Sequence, residues 1–103
     1  MAKIRPVHPG EILREEFMQP LNLTMNKLAL DLHVPATRIS DIVHGRRGIT
    51  PATALRLSRY FNTTPEFWMN LQTNYELRIA RVHELRRIER DVHPIQVAAA
   101  ARA

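Results

Sequence analysis

Apolar positions in this chain recur at steps of three and four and nowhere alternate for long, so the pattern predicts helices and no strand. His8-Pro9-Gly10 opens the first, with Ile12, Leu13, Phe17 and Met18 at helical spacing, and Pro20 predicts its end near Gln19. Thr24 is the side chain expected to cap a second helix over Met25–Leu32. Pro35 opens a third that runs to His44, where Gly45 suits a left-handed stop. Thr50-Pro51 pairs a cap with a first-turn proline and starts a fourth helix reaching Tyr60 or Phe61. Thr64-Pro65 repeats that signal, with Glu66 where the helix dipole favours an acid, and the fifth helix extends to about Arg90. The alanine-rich segment 95–103 is expected to fray. The predicted organisation is one all-α domain over residues 1–94, with an extended last helix and a flexible tail over 95–103.

Within that order, the second and third helices fit a tight pair. Leu28, Leu32, Val34, Ile39 and Ile42 fall on the faces that meet, and Ala29 is small where the partner helix must come close. This is the pattern of a helix-turn-helix, whose second helix enters the DNA major groove. Two positions depart from it. The turn normally carries glycine at positive φ and here carries His33, a residue that tolerates that region better than most. Pro35 stands where a Ser or Thr cap is usual. The competing reading is a plain helical bundle with a solvated arginine face.

Charge changes the balance between them. The 103 residues carry a net +5, and 38–59 holds five arginines (Arg38, Arg46, Arg47, Arg56, Arg59) against one acid, Asp41. Positive charge focused beside the helix expected to dock points to an anionic partner. With no cysteine, disulfide and thiolate chemistry are excluded. No apolar run is long enough to cross a bilayer and MAKIRPVHPGE lacks a signal-peptide core, so the cytoplasm is expected and a membrane is not. His8, His33, His44, His83 and His93 are scattered, and there is no glycine-rich phosphate loop or nucleophile motif. Neither catalysis nor a metal nor another cofactor is expected.

Candidate DNA contacts follow from the docking geometry. Ala36 and Thr37, in the first turn of the third helix, lie where base edges are reached; Thr37 can hydrogen-bond and Ala36 can only touch a thymine methyl. Arg38 suits a guanine or, preferably, a phosphate. Asp41 could accept from a cytosine amine or pair with Arg38 one turn back. Arg46 and Arg47 suit the phosphate backbone, or one of them the minor groove. His44 is open between capping, packing and a phosphate contact. Thr24 and Asn26 start the second helix, where side chains and unpaired backbone N–H groups can bind a phosphate; Met25 stands where many such domains have glutamine.

A single domain of this size reads only a few base pairs, so a repressor built on it is expected to dimerise. Trp68, Leu71, Tyr75, Ile79, Val82, Leu85, Ile88 and Val92 step by three or four along the last helix. The front of this stripe is expected to pack on the domain's own core. The back, Ile79, Val82, Leu85 and Ile88, is assigned to a homodimer or another partner.

The segments HPGEILREEF, LALDLHVPATRISDIVHGRRGIT and ALRLSRYFNTTPEFWMNLQTNYEL resemble the HigA branch of the Xre-type helix-turn-helix family, over roughly residues 5–77. PEFWMNLQ is the most specific piece. The resemblance implies a five-helix, lambda-repressor-like domain, dimeric on a palindrome in its own promoter. It also implies an antitoxin that neutralises a small basic HigB-like mRNA endonuclease, with a stand-alone repressor as the alternative. No toxin-binding residue carries over. Neutralisation is expected to use folded surface, and Glu11, Glu15 and Glu16 offer an acidic patch for it, although a solvated helix face is the preferred account of those three.

Overall fold

The structure is a computed structural model that describes residues 5–96. Five helices follow one another: α1 (Pro9–Ile12), continued by a π-helical stretch (Leu13–Met18), then α2 (Met25–Leu32), α3 (Ala36–Val43), α4 (Pro51–Phe61) and α5 (Pro65–Asp91). Most of the expected tail lies outside the described residues.

Caps explain most of these boundaries. Thr24, Thr50 and Thr64 each accept a hydrogen bond from the backbone N–H three residues on, at 3.0, 3.3 and 3.1 Å. His8 does the same for α1 through its ring: Nδ1 accepts from the Gly10 N–H at 2.9 Å. At the other ends, His33, Gly45 and Asn62 take left-handed φ values of 58°, 77° and 58°. His33 thus fills the glycine position of the helix-turn-helix, its N–H bonding back to Leu30 and the Val34 N–H to Ala29. Pro35 starts α3 without a side-chain cap.

The first helix differs from expectation. It does not run as one α-helix to Gln19; from Leu13 it widens to π geometry, and the Gln19 N–H reaches the Arg14 carbonyl five residues back. The wider turn brings Met18 back toward the side of Leu13, and both are buried while Phe17 is half-buried. Phe17 in turn packs against Phe61, Phe67 and Trp68 at centroid distances of 5.0, 6.0 and 4.9 Å.

The core gathers Leu13, Leu28, Leu32, Ile39, Ile42, Ile49, Ala54, Leu57 and Trp68. Ala29 is buried at the α2–α3 crossing, as its size predicts. Gly10 is required where α1 crosses the end of α3, because a Cβ there would lie 1.7 Å from the Ile42 carbonyl oxygen. Two polar ties join α2 to α4. Arg56 donates to the Leu32 carbonyl at 2.8 Å, and the Tyr60 hydroxyl donates to Asp31. That hydrogen bond, helped by one from Lys27, holds the Asp31 carboxyl below its ordinary pKa.

α5 makes the molecule long, 56 × 28 × 28 Å. Its first half packs on the core, with Trp68 fully buried and its indole N–H donating to Thr63 Oγ1 at 2.8 Å. Residues 81–91 are all exposed, so the helix projects past the domain for about three turns.

Candidate nucleic-acid interface

With Ile39 and Ile42 buried, α3 turns Ala36, Thr37, Ser40, Asp41 and His44 outward. These are one strip of helix, linked by steps of three and four. Ala36 and Thr37, at its open end, are exposed. Ser40 is a functional candidate that sequence reasoning passed over; its signal was the step of four from Ala36 and three from Thr37. Arg38 sits at the edge of this strip, half-buried, and its guanidinium makes no hydrogen bond among the described residues.

Asp41 does not pair with Arg38. Gly45 turns the chain back so that the Arg46 and Arg47 N–H groups both reach the Asp41 carbonyl, at 2.7 and 3.2 Å. The same turn brings Arg46 Nε to 3.0 Å from the Asp41 carboxylate and Arg47 Nε to 4.0 Å. Pairing at i+3 along the helix loses to pairing across the turn because a backbone contact already holds Arg46 there. Asp41 thereby ties the two arginines, both about half exposed, to the C-terminal end of α3. The pair is exposed, so a phosphate can take over Arg46 at little cost. His44 is the C-cap residue of α3, and its ring Nδ1 lies 2.8 Å from the Ser40 carbonyl oxygen; of the three roles open to it, capping is the one the geometry fills.

The loop that carries Arg46 and Arg47 is held from below by a buried side chain. Gln72, on α5, accepts from the Ile49 N–H at 2.7 Å and donates to Glu76 at 2.9 Å. Gly48 lies flat against that amide: a Cβ there would stand 2.7 Å from Gln72 Nε2. Behind the loop, the His8 ring lies on Gly45 and edge-on to Tyr75, with centroids 4.8 Å apart. Burial lowers the His8 pKa more than Glu11 raises it, which keeps Nδ1 an acceptor.

Thr24 and Asn26 are exposed at the start of α2. Thr24 Oγ1 accepts the capping hydrogen bond and keeps its O–H to donate, so that end offers an anion the Thr24 hydroxyl, the Asn26 side chain and the unpaired N–H groups of the first turn. Of the three acids set out for a basic partner, Glu11 is forked by Arg5 at 3.0 and 3.1 Å and Glu15 meets Arg14 at 3.1 Å, while Glu16 is exposed. Ile79, Val82, Leu85 and Ile88 do not share one face of α5. Nine residues separate Ile79 from Ile88, about two and a half turns, which puts them on opposite sides. Among the described residues no cluster could hold a metal ion, and no helix is long and apolar enough to cross a membrane.

Known proteins share this arrangement. The helix-turn-helix family matches residues 14–68. The chain is 53% identical to virulence-associated protein I of Dichelobacter nodosus, over 72% of this chain and 68% of that one. It is 36% identical to antitoxin HigA-1 of Vibrio cholerae, over 74% and 71%. The structure of the Pseudomonas aeruginosa antitoxin HigA with the higBA promoter superposes with a TM-score of 0.87 at 44% identity, covering 89% of this chain and all of that one. Family, identity and superposition agree with the site: the chain belongs to the helix-turn-helix family that contains the HigA antitoxins, a family of DNA-binding proteins and not of enzymes.

Proposed function

We propose that this chain binds palindromic operator DNA as a homodimer, represses its own operon and neutralises a small basic HigB-like RNA endonuclease. The observation that carries the DNA half is the outward strip of α3 with Arg46 and Arg47 paired to Asp41 at its end. Thr37, Ser40 and Ala36 meet base edges; Arg38, Arg46, Arg47 and the first turn of α2, with Thr24 and Asn26, meet phosphates. Asp41 and His44 keep the turn after α3 in shape. The similar antitoxin of Pseudomonas aeruginosa, solved with a promoter, supports the same use of this fold. The toxin half rests on kinship with antitoxins alone. Such a repressor works in the cytoplasm.

The test is titration of the chain's own promoter duplex by fluorescence anisotropy across a salt series, with recovery of partners from nuclease-treated lysate alongside. We expect affinity to fall steeply with salt. Arg47→Ala should weaken all sequences alike, and Thr37→Ala should flatten preference at one base position. Affinity indifferent to salt and to both substitutions overturns the docking scheme. Operator binding without a small basic partner leaves a stand-alone repressor.

A further inference from the structure

His8 closes a circuit of contacts between the start of α1 and the turn that carries Arg46 and Arg47. Its ring Nδ1 accepts from the Gly10 N–H at 2.9 Å. Gly10 lies so near the end of α3 that a Cβ there would strike the Ile42 carbonyl oxygen. That same oxygen accepts from the Gly45 N–H at 3.1 Å, where the chain turns left-handed at a φ of 77°. Gly45 completes the circuit, because the place of its missing Cβ is 3.9 Å from two carbons of the His8 ring. The ring also meets Tyr75 of α5 edge-on. One side chain therefore caps the first helix and backs the turn that follows the third.

We infer that His8 is a positioning residue for operator binding: with Nδ1 unprotonated it holds the turn after α3 in the shape that presents Arg46 and Arg47, and a proton on Nδ1 releases that turn. An imidazolium donates from both nitrogens and accepts at neither. Protonation would thus set two N–H groups against each other at the Gly10 contact. Ring and helix start must then part, and Gly45 loses the surface it turns against. The groups around the ring act as follows. Glu11, on the same helix, favours the proton but is itself forked by Arg5. α5 brings Tyr75 and, one turn on, Arg78, which lines a pocket with Tyr75 and Arg5. The turn brings Gly45, between His44 on the Ser40 carbonyl and Arg46 on Asp41. Burial outweighs Glu11, so His8 takes up its proton below its ordinary 6.5. Operator affinity should be full above that pH and fall below it. The direction is diagnostic, because added protons otherwise raise the positive charge and tighten the hold on phosphate. A proton on His44, beside the same turn, would follow that general trend. The inference rests on the reading of α3, Arg46 and Arg47 as the DNA surface and adds the residue that keeps their turn in register.

The experiment is anisotropy titration of the promoter duplex from about pH 8 to about pH 5.5 at fixed ionic strength, with the wild type, His8→Ala and His8→Asn. Asparagine keeps a capping acceptor and cannot titrate. Circular dichroism checks that each chain is folded at each pH. At the alkaline end His8→Ala should bind about fivefold more weakly than the wild type, the scale of one lost helix cap, and His8→Asn should recover most of that loss. Toward the acid end the wild type should weaken about fivefold relative to His8→Asn. In the free wild-type chain, the NMR amide signals of Gly10 and Gly45 should move together as the His8 ring titrates. The same pH profile in wild type and His8→Asn, His8→Ala as tight as the wild type, or a Gly45 amide unmoved while His8 titrates overturns the proposal. A wild type that binds its promoter at no pH refutes the proposed function instead, and the amide titration of the free chain then still decides whether His8 holds the turn.

Discussion

The two halves of α5 belong to one continuous helix, Pro65–Asp91, yet different things hold them. From Pro65 to Ala80 the helix is fixed by what lies beneath it. Trp68 is enclosed by Phe17, Phe61 and Phe67, and Gln72 is tied to the backbone of a neighbouring loop. From Arg81 to Asp91 nothing among the described residues lies beneath, and the side-chain support there is an exposed Glu84–Arg87 pair with an Arg90–Asp91 contact. The first half therefore draws its helicity from burial, which persists at any dilution. The second half lacks that support, and in the proposed homodimer its order should depend on concentration. A buried stretch and an exposed one thus follow each other along a single helix.

The sharpest way to break this contrast is Trp68→Ala. It should cost about 3–5 kcal/mol in denaturant unfolding, a large part of the 5–15 kcal/mol typical of a whole domain. A loss below about 1 kcal/mol would show that the first half is not rooted as described. Gln72→Leu comes next. It strands the buried Ile49 N–H, a loss of about 1–3 kcal/mol, and frees the loop under Arg46 and Arg47, so operator affinity should fall along with melting temperature. Acidification gives a smaller effect. The pKa of His8 is depressed in the fold, so as pH falls through its ordinary value of 6.5 the unfolded chain takes up a proton before the native one does. Stability should be full above that pH and decline below it, and His8→Gln should remove His8's share of the slope in pH-dependent melts. Smallest is Val82→Ala in the projecting half, at 71% exposure: it should change unfolding by no more than about 0.5 kcal/mol. In the same half, amide exchange over residues 81–91 should slow as protein concentration rises, while that of 65–75 stays constant.

The sequence announces most of the boundaries because they are chemical. A threonine ahead of a proline can cap, a proline can open, and His33 can stand at positive φ; Thr24, Thr50, Thr64 and His33 all act so in the fold. Three features stay hidden in it for separate reasons. The π-helical stretch after Ile12 has no residue signature, since it depends on which of Leu13, Phe17 and Met18 the core accepts. The pairing of Asp41 with Arg46 follows from the turn at Gly45, and spacing along a helix says nothing about it. Gln72 reads as an ordinary polar residue on a helix surface until the fold lays Gly48 against it. The row on α5 misleads in another way: steps of three and four look like one stripe, but over more than two turns the phase drifts until Ile79 and Ile88 face opposite ways.

The Gln72 amide has a consequence for communication between the two working ends of the molecule. Its oxygen is held by the strap that carries the groove-facing arginines, and its nitrogen holds Glu76, one residue before the apolar row begins at Leu77. A single planar group thus links the loop after α3 to the start of the exposed row on α5. Because both hydrogen bonds hang on one planar amide, a rotamer change at Gln72 would release the strap and Glu76 together.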